Sequence, residues 1–266
     1  MNRFTDQMGR GLELSQRPKR IVSLVPSQTE LLYDLGLSDE VVGITKFCIH
    51  PTEWFRTKPR IGGTKNVNLE KLAALEPDLI IANKEENKQA DVEALSKNFP
   101  VWVSDINNLE DALQMIGGIG AITGKECDAN VLRQNIKIAF ENYKPPATNY
   151  KLKTAYLIWK KPYMTVGGDT FINDMLQQAG FTNVFSSSKR YPQITIPDLQ
   201  AVDCQLLLLS SEPYPFKQAD IDELQSELPH TRILLVDGEM FSWYGSRLLH
   251  TPAYFQSLRQ QTAAMP

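Results

Sequence analysis

The same short pattern occurs twice in this sequence, and this repeat restricts the fold more than any other feature. The segment LEKLAALEPDLIIA, residues 69–82, has a near-copy in IPDLQAVDCQLLLLS, residues 196–210. In each copy a short helical pattern runs directly into a continuously apolar strand. Strands without polar alternation are buried on both faces, as in parallel α/β sheets. The repeat therefore predicts two similar α/β units in one chain.

Two further segments recur in the same order. IVSLVPSQTELLYDLGLSDEVVG matches MTVGGDTFINDMLQQAGFTNVF: each has an apolar extended run, a polar turn, an amphipathic helix and a glycine stop, Gly36 or Gly180. FPVWVSD, residues 99–105, matches TRILLVDG, residues 231–238, as a second apolar strand. In the first copy Ser27 and Glu30 have the S-x-x-E spacing of a helix capping box. Three matches in register favour duplication, or convergent design of two units, over coincidence.

The segment between the two copies is helical by pattern on both sides of Gly124, and Pro145 and Pro146 are expected to end it. A helix of about 20 residues spans about 30 Å, enough for a stiff link. The sequence therefore predicts an N-terminal α/β lobe over residues 19–122, a linking helix over 123–149 and a C-terminal α/β lobe over 150–266.

The stretch GGIGAITGKE lacks the spacing of a phosphate-binding loop and is interpreted as a break between two helices.

Charge and hydropathy argue against two classes of partner. The net charge is -3 and the pI is near 5.7, so no basic surplus points to nucleic acid. The sequence has no run of about 18 apolar residues, so no membrane insertion is predicted.

The opening residues, MNRFTDQMGRGLELSQRPKR, lack the apolar core of a secretory signal. A cytoplasmic location is expected for the sequence as written, and a periplasmic one if the natural N-terminus was trimmed or replaced.

The cysteines predict neither a disulfide framework nor a zinc knuckle. Cys48, Cys127 and Cys204 are odd in number and widely spaced. Cys48, His50 and Glu53 offer metal-ligand chemistry on one loop, but three such residues alone are a loose pattern. No metal site and no catalytic residue are predicted.

Several segments together resemble the helical-backbone (class III) solute-binding proteins of ABC importers, especially their vitamin B12-binding branch. The similar stretches are RIVSLVPSQTELLYDLG, VVGITKFCIHP, RIGGTKNVNLEKLAALEPDLIIA, VGGDTFINDMLQQAGFTNVF, RYPQITIPDL and WYGSRLL. The resemblance implies two Rossmann-like lobes with mostly parallel sheets, joined by one long helix. It also implies a shallow cleft between the lobes for a bulky ligand such as a corrinoid, haem or a ferric siderophore, with no required cofactor. A monomer that delivers this ligand to an ABC permease is expected.

Two candidate ligand contacts lie in the first lobe. Phe47 ends the VVGITKF strand where the B12-binding branch similarly carries an aromatic residue, and a core phenylalanine is the alternative. Where such proteins carry tryptophan, this sequence has Thr64 or Lys65, and Asn83. Lys65 is therefore a candidate contact with a more hydrophilic or anionic ligand, and a solvated loop end is the alternative.

The second lobe offers aromatic candidates after its strands, where α/β sheets place their binding crevices. Tyr191, in RYPQ, resembles the family's second-lobe aromatic residue. Tyr163 and Met164 follow the LKTAYLIW strand, although a methionine in a loop is as often simple packing.

The late segment MFSWYGSRLL combines stacking surface with one cation, which favours ligand contact over a purely structural role. The candidates in this segment are Phe241, Trp243, Tyr244 and Arg247.

Two carboxylates are candidates for docking to a permease. In the family, a Glu of the NLE motif projects from the first lobe to meet an Arg of the permease, and Glu70 occupies that position. The second-lobe counterpart reads Pro197 and Asp198, so Asp198 is the second candidate. Asn68 can cap the helix that holds Glu70, and a carboxylate in a first turn is favoured by the helix dipole, so a structural role is the alternative.

Three functions remain open. The leading hypothesis is a non-enzymatic solute-binding protein of an ABC importer. The second is a cytoplasmic corrinoid or metal-chelate carrier of the same fold. The third is a two-lobed enzyme such as a nucleotide-sugar transferase, which would require a phosphate-binding turn that is not legible in the sequence.

Overall fold

The repeated helix–strand segments form two separate four-stranded parallel sheets. The computed structural model describes residues 2–143 and 152–263. These residues divide into two compact units. Unit 1 comprises the described residues within 1–106, 110–137 and 243–247, and unit 2 those within 107–109, 138–242 and 248–266.

Unit 1 holds most of the elements in the first half of the chain. In chain order the elements up to the middle of the sequence are β1 (Asn2–Thr5), β2 (Gly11–Leu14), β3 (Ile21–Ser23), α1 (Pro26–Asp34), β4 (Val41–Ile44), α2 (Thr52–Thr57), α3 (Leu69–Ala73), β5 (Leu79–Asn83), α4 (Gln89–Ser96), β6 (Val101–Ser104), α5 (Leu109–Thr123) and α6 (Glu126–Asn142). The last residues of α6, 138–142, belong to unit 2.

The sheet of unit 1 has the strand order β4-β3-β5-β6, with every pair parallel. Ile21 aligns with Leu79, and Ile80 with Val101. All residues of β3 and β5 are buried. The continuous apolar character of LIIA thus reflects a central strand covered on both faces, as predicted.

Unit 2 holds the elements of the second half. In chain order they are β7 (Lys153–Leu157), β8 (Tyr163–Met164), α7 (Phe171–Gln178), β9 (Thr182–Asn183), β10 (Gln193–Ile194), α8 (Ile196–Ala201), β11 (Leu206–Ser210), α9 (Gln218–Glu227), β12 (Arg232–Val236), α10 (Glu239–Ser242), a 3-10 turn (Ser246–Leu249) and α11 (Thr251–Ala263). Part of the 3-10 turn, residues 246 and 247, belongs to unit 1.

The sheet of unit 2 repeats the design of the first. Its order is β12-β11-β7-β9, again with every pair parallel. Read from the opposite edge, β9-β7-β11-β12 corresponds strand for strand to β4-β3-β5-β6. The sequence equated LIIA with LLLLS and FPVWVSD with TRILLVDG. These correspondences are confirmed, because β5 and β11 occupy equivalent positions in the two sheets, and so do β6 and β12. The predicted α/β fold class is confirmed as well.

One of the matched segments was assigned to the wrong strand. The sequence pattern equated the MTV run with the IVS strand, but Met164 ends β8, which pairs antiparallel with β10 outside the parallel sheet. The true counterpart of β3 is β7, residues 153–157, which lies in the centre of its sheet. A short apolar run has no periodicity that separates a central strand from a hairpin strand, so the pattern alone could not distinguish them.

The glycine stops of α1 and α7 are confirmed. Gly36 has φ of 70° and Gly180 has φ of 81°, values in the left-handed region that favours glycine. The amide of Leu37 donates to the carbonyl of Leu32, and the amide of Phe181 to that of Leu176. Both helices therefore end in the same Schellman-type closure.

The helical segment that lies between the two repeats in the sequence is broken where predicted. α5 ends at Thr123, Gly124 has φ of 68°, and α6 begins at Glu126. GGIGAITG is thus the end of a helix and not a phosphate loop. The predicted end of the linking helix, with Pro145 and Pro146, lies outside the described residues. Within the described ranges, no helix is long and apolar enough to cross a membrane.

An N-terminal hairpin, β1 with β2, was not predicted. It is joined to the sheet by Asp6, a buried carboxylate that accepts hydrogen bonds from the amides of Met8 (2.9 Å), Arg10 (2.8 Å) and Val103 (3.2 Å). The amide of Gln7 also donates to the carbonyl of Val103 in β6 (3.2 Å). The hairpin therefore attaches to the edge strand of the sheet of unit 1.

Candidate functional site

Buried polar side chains connect the carboxyl ends of β5 and β6 to the first turn of α1. The Asn83 amide group donates to Ser104 Oγ (2.9 Å), and Gln28 Nε2 donates to the same oxygen (2.5 Å). Asn83 Oδ1 accepts from the amides of Glu85 (2.8 Å) and Glu86 (3.0 Å). This network fixes the start of the loop after β5. Asn83 stands here at a position where the resemblance to the B12-binding branch implies a tryptophan.

Phe47 and Lys65 lie on exposed loops of unit 1. The Phe47 side chain is 51% exposed, and the Lys46 ammonium lies 5.0 Å from its ring centre. The ring packs on Gly63, where a Cβ would come within 3.1 Å of it. Lys65 is exposed and its ammonium donates to the carbonyl of Glu85. Phe47 therefore offers an accessible aromatic surface, whereas the Lys65 ammonium already binds the loop that follows β5.

The side chains of Cys48 and His50 contact other residues of unit 1. Thr29 Oγ1 donates to the Cys48 sulfur (3.0 Å), and Thr45 Oγ1 lies 3.2 Å from it. Burial raises the pKa of the Cys48 thiol despite these hydrogen bonds. The His50 ring meets the Trp243 ring edge-on at 5.5 Å. In the described part of the chain, no group of three or more His, Cys, Asp or Glu side chains is placed to hold a metal ion.

The segment Trp243–Arg247 belongs to unit 1, where it packs on α1. The Arg247 guanidinium makes two hydrogen bonds to the Glu30 carboxylate, at 2.6 and 3.0 Å, and lies 4.7 Å from the Trp243 ring centre. The ion-paired side chains are only 13% and 18% exposed. Gly245 lies against the Ser27 carbonyl, where a Cβ would approach to 2.4 Å.

The predicted capping box of Ser27 and Glu30 is wrong. The N-cap of α1 is Val25, and no side chain caps it. Glu30 binds Arg247 instead, a residue far away in sequence, and Ser27 is buried beneath the Trp243–Arg247 segment. A tertiary ion pair has thus displaced the local hydrogen bond that the spacing suggested.

The aromatic residues of the late segment are largely buried. Trp243 is 5% exposed and Tyr244 7%. Phe241, in α10, is fully buried in unit 2 and contacts Tyr156 (5.1 Å) and Phe255 (5.0 Å). Ligand contact by these residues stays a prediction.

In unit 2 the structure brings Tyr163, Met164 and Tyr191 to one antiparallel strand pair, β8 with β10. Met164 aligns with Gln193 and Tyr163 with Ile194, and Tyr191 lies just before β10. All three candidate side chains are half-buried. Burial, together with the nearby negative charge of Glu223, raises the pKa of Tyr163.

The sequence analysis did not name two aromatic residues that lie near this strand pair. Trp159 is 40% exposed, and its ring meets that of Tyr214 edge-on at 5.8 Å. Tyr214 in turn contacts Phe216 at 4.7 Å. The signal was present in the sequence, since both Trp159 and Tyr214 come shortly after apolar strands, β7 and β11, at the strand ends where parallel sheets place binding crevices.

The two docking candidates occupy similar helix starts but differ in their surroundings. Asn68 caps α3, as expected, by accepting from the Lys71 amide (2.8 Å), and Glu70 is exposed in the first turn. Asp198 is exposed too, but its carboxylate accepts two hydrogen bonds from Thr195, both at 2.7 Å. These hydrogen bonds lower the pKa of Asp198. Asp198 therefore contributes to a capping box of α8.

Comparison with known proteins gives consistent relatives. The chain is 28% identical over 258 residues to an uncharacterised ABC transporter substrate-binding lipoprotein of Bacillus subtilis, covering 92% of this chain and 81% of that protein. It is 27% identical over 198 residues to a vitamin B12-binding protein of Vibrio campbellii, covering 72% and 70%.

Among solved structures, a periplasmic haem-binding protein of Pseudomonas aeruginosa superimposes with a TM-score of 0.81, at 19% identity, over 92% of this chain and 94% of that one. At this identity the likeness establishes the fold. The family described as "Periplasmic binding protein" matches residues 21–231. With its two parallel α/β units and this match across most of its length, the chain belongs to the periplasmic binding protein family.

Proposed function

We propose that this chain is the solute-binding component of an ABC importer and that it binds a bulky ligand such as a corrinoid, haem or a ferric siderophore. The observation that carries the proposal is the family match over residues 21–231, together with relatives named as an ABC transporter substrate-binding lipoprotein and vitamin B12-binding proteins. The family consists of binding proteins, and we propose that this chain likewise catalyses no reaction.

Exposed aromatic surface at strand ends supports this function. Phe47 follows β4 in unit 1 and is 51% exposed, and Trp159 follows β7 in unit 2 and is 40% exposed. Large apolar groups at the carboxyl ends of parallel strands suit a broad, partly apolar ligand. The joint contact of one ligand by residues of both units stays a prediction of the sequence.

Isothermal titration of the purified protein with cyanocobalamin, cobinamide, haem and ferric siderophores tests the proposal. Binding of at least one ligand is expected, and Phe47→Ala should weaken it. Val131→Ala is the matched control, since Val131 is also an apolar residue of unit 1 and is 62% exposed. Uniformly null titrations of the wild-type protein would count decisively against the proposal.

Glu70 is proposed as the contact with the permease. Its carboxylate is exposed in the first turn of α3. We expect Glu70→Ala to leave ligand affinity unchanged and to lower ligand uptake by cells that depend on this protein. Unchanged uptake would remove Glu70 from the docking surface.

One observation favours the alternative of a carrier that works without an importer. The second docking candidate, Asp198, uses its carboxylate to cap α8 and is not a simple counterpart of Glu70. Fractionation of cells expressing the native gene separates the two functions, because an importer component should be found outside the cytoplasmic membrane. We also propose that the protein is a monomer, and light scattering on the purified protein tests this.

A further inference from the structure

A short hairpin follows β7, one of the two inner strands of the sheet of unit 2. The amide of Ile158 donates to the carbonyl of Met164 (3.0 Å), and the amide of Met164 donates to that of Trp159 (3.2 Å). The turn between them therefore comes directly after β7, the strand that lies in the middle of its sheet. Side chains in such a turn stand at the edge where open α/β sheets bind ligands.

Trp159 differs from every other tryptophan of the chain. It is 40% exposed, whereas the other three are at most 5% exposed. Its ring meets Tyr214 edge-on, with 70° between the planes. An indole combines a large flat surface with few rotatable bonds, so it binds flat conjugated rings well by stacking. A single exposed aromatic residue is common on protein surfaces, but Trp159 also stands at the carboxyl end of an inner strand, where open α/β sheets bind ligands.

The side chain of Lys160, the residue after Trp159, is held by two ion pairs. The Lys160 side chain is only 9% exposed, and its ammonium binds Asp220 Oδ1 at 2.6 Å and Glu223 Oε2 at 2.7 Å. The hydrogen bonds that the Lys160 ammonium donates to Asp220 and Glu223 raise the pKa of Lys160. The hydrogen bond from Lys160 lowers the pKa of Glu223, so the contact persists at neutral pH.

The anchor is itself held by a regular helix. Asp220 and Glu223 lie one turn apart on α9. Asp220 also accepts from the Lys217 amide (2.8 Å) at the start of that helix. The same helix reaches the other end of the hairpin, because the Tyr163 hydroxyl lies 3.5 Å from Glu223. The contacts of Lys160 and Tyr163 therefore hold both ends of the hairpin against α9.

We propose that Trp159 is a ligand-contact residue that stacks on a flat conjugated macrocycle, and that Lys160 is the positioning residue that fixes it through Asp220 and Glu223. This inference rests on the proposed function and narrows its ligand class to planar macrocycles, such as the corrin or porphyrin ring. A bulky chelate without a flat ring would gain little from the indole surface.

Tryptophan fluorescence gives a direct test, because collisional quenching by acrylamide reports chiefly on the exposed Trp159. In the ligand-free protein, Lys160→Met should lower the anisotropy of the quenchable emission, and Lys160→Arg should restore it because a guanidinium can reach both carboxylates. Lys153→Met is the matched control. Lys153 lies on β7, the strand before the turn, and pairs with Asp203 at the surface, at 3.2 Å.

Titration with haemin and with cyanocobalamin completes the test. At least one should quench Trp159 emission, and Trp159→Ala and Lys160→Met should each weaken its binding by about tenfold or more, with affinity recovered in Lys160→Arg. Wild-type-like affinity in Trp159→Ala and Lys160→Met overturns this inference alone. Binding of ferric siderophores but of neither macrocycle also overturns it while leaving the proposed function intact. Binding of no ligand to the wild-type protein overturns both.

Discussion

The ion pair between Arg247 and Glu30 gives a quantitative prediction for the stability of the protein. The two side chains are 13% and 18% exposed, so the pair is largely removed from water. Replacing one partner of a buried pair costs about 3–5 kcal/mol, because the other charge stays buried without a counter-charge. Since some exposure remains, we expect the lower end, about 3 kcal/mol, for Arg247→Met. Loss of the cation–π contact with Trp243 adds about 0.5–1 kcal/mol.

Urea unfolding followed by circular dichroism measures this cost, and thermal unfolding checks it. With a change of about 2–4 °C per kcal/mol, the total loss of about 3.5–4 kcal/mol should lower the melting temperature by about 7–16 °C. Arg3→Met is the matched control. Arg3 also pairs with a glutamate, Glu13, at 2.7 Å, but the side chains are 84% and 48% exposed. An exposed pair of this kind contributes about 0–1 kcal/mol.

A double-mutant cycle with Glu30→Gln isolates the pair itself. Removing both charges should cost less than the sum of the two single changes, because neither charge is then left buried alone. If Arg247→Met changed stability no more than Arg3→Met, and the two changes in the cycle were additive, the pair would not hold the segment. The ligand-binding role that the sequence suggests for Arg247 would then be favoured over a structural one.

Three further outcomes are expected. Iodoacetamide should alkylate Cys127, the exposed cysteine, at least about tenfold faster than the other two in the native protein, and Cys127→Ser should abolish the fast phase, as mass spectrometry can show. Gly245→Ala should destabilise the protein by about 1–3 kcal/mol in urea, because its Cβ would strike the carbonyl of Ser27, whereas Gly11→Ala, with open space around it, should be nearly neutral; equal effects would contradict this contact. The stability lost in Lys160→Met should be largest near neutral pH. It should shrink in acid as the pH falls through the lowered pKa values of its two carboxylate partners, and in alkali as the pH rises through the raised lysine pKa, and a pH-independent difference would refute the ion-pair origin.

The repeated pattern in the sequence was sufficient for β5, β6, β11 and β12, but it assigned the counterpart of β3 to the wrong segment and did not indicate β9. β5 and β11 are apolar because they are covered on both faces, so their burial is written in the residues themselves. The MTV run failed as a central strand because its length and composition suit a hairpin strand equally well. Its place in β8 is decided by the antiparallel partner β10, residues 193–194, which supplies the backbone hydrogen bonds.

The candidate site was predictable only in part. Phe47 lies on an exposed loop after a strand, as its position in the sequence indicated, and Trp159 could have been found by the same reasoning. The environment of Arg247 could not, because its partner lies 217 residues away and nothing local marks that pairing. An arginine in an aromatic segment looks the same in sequence whether it faces a ligand or a buried carboxylate.

By itself, the sequence determined the apolar strands β5, β6, β11 and β12, where α1 and α7 stop, and that the chain contains two similar α/β units. These features depend on local periodicity and on the conformational freedom of glycine, and both act within a few residues. Only the tertiary structure decided that Glu30 binds Arg247 and does not cap its own helix, and that Lys160 is bound by two carboxylates of α9. A side-chain charge interacts with whatever the fold places beside it, so its role depends on contacts between residues far apart in the chain.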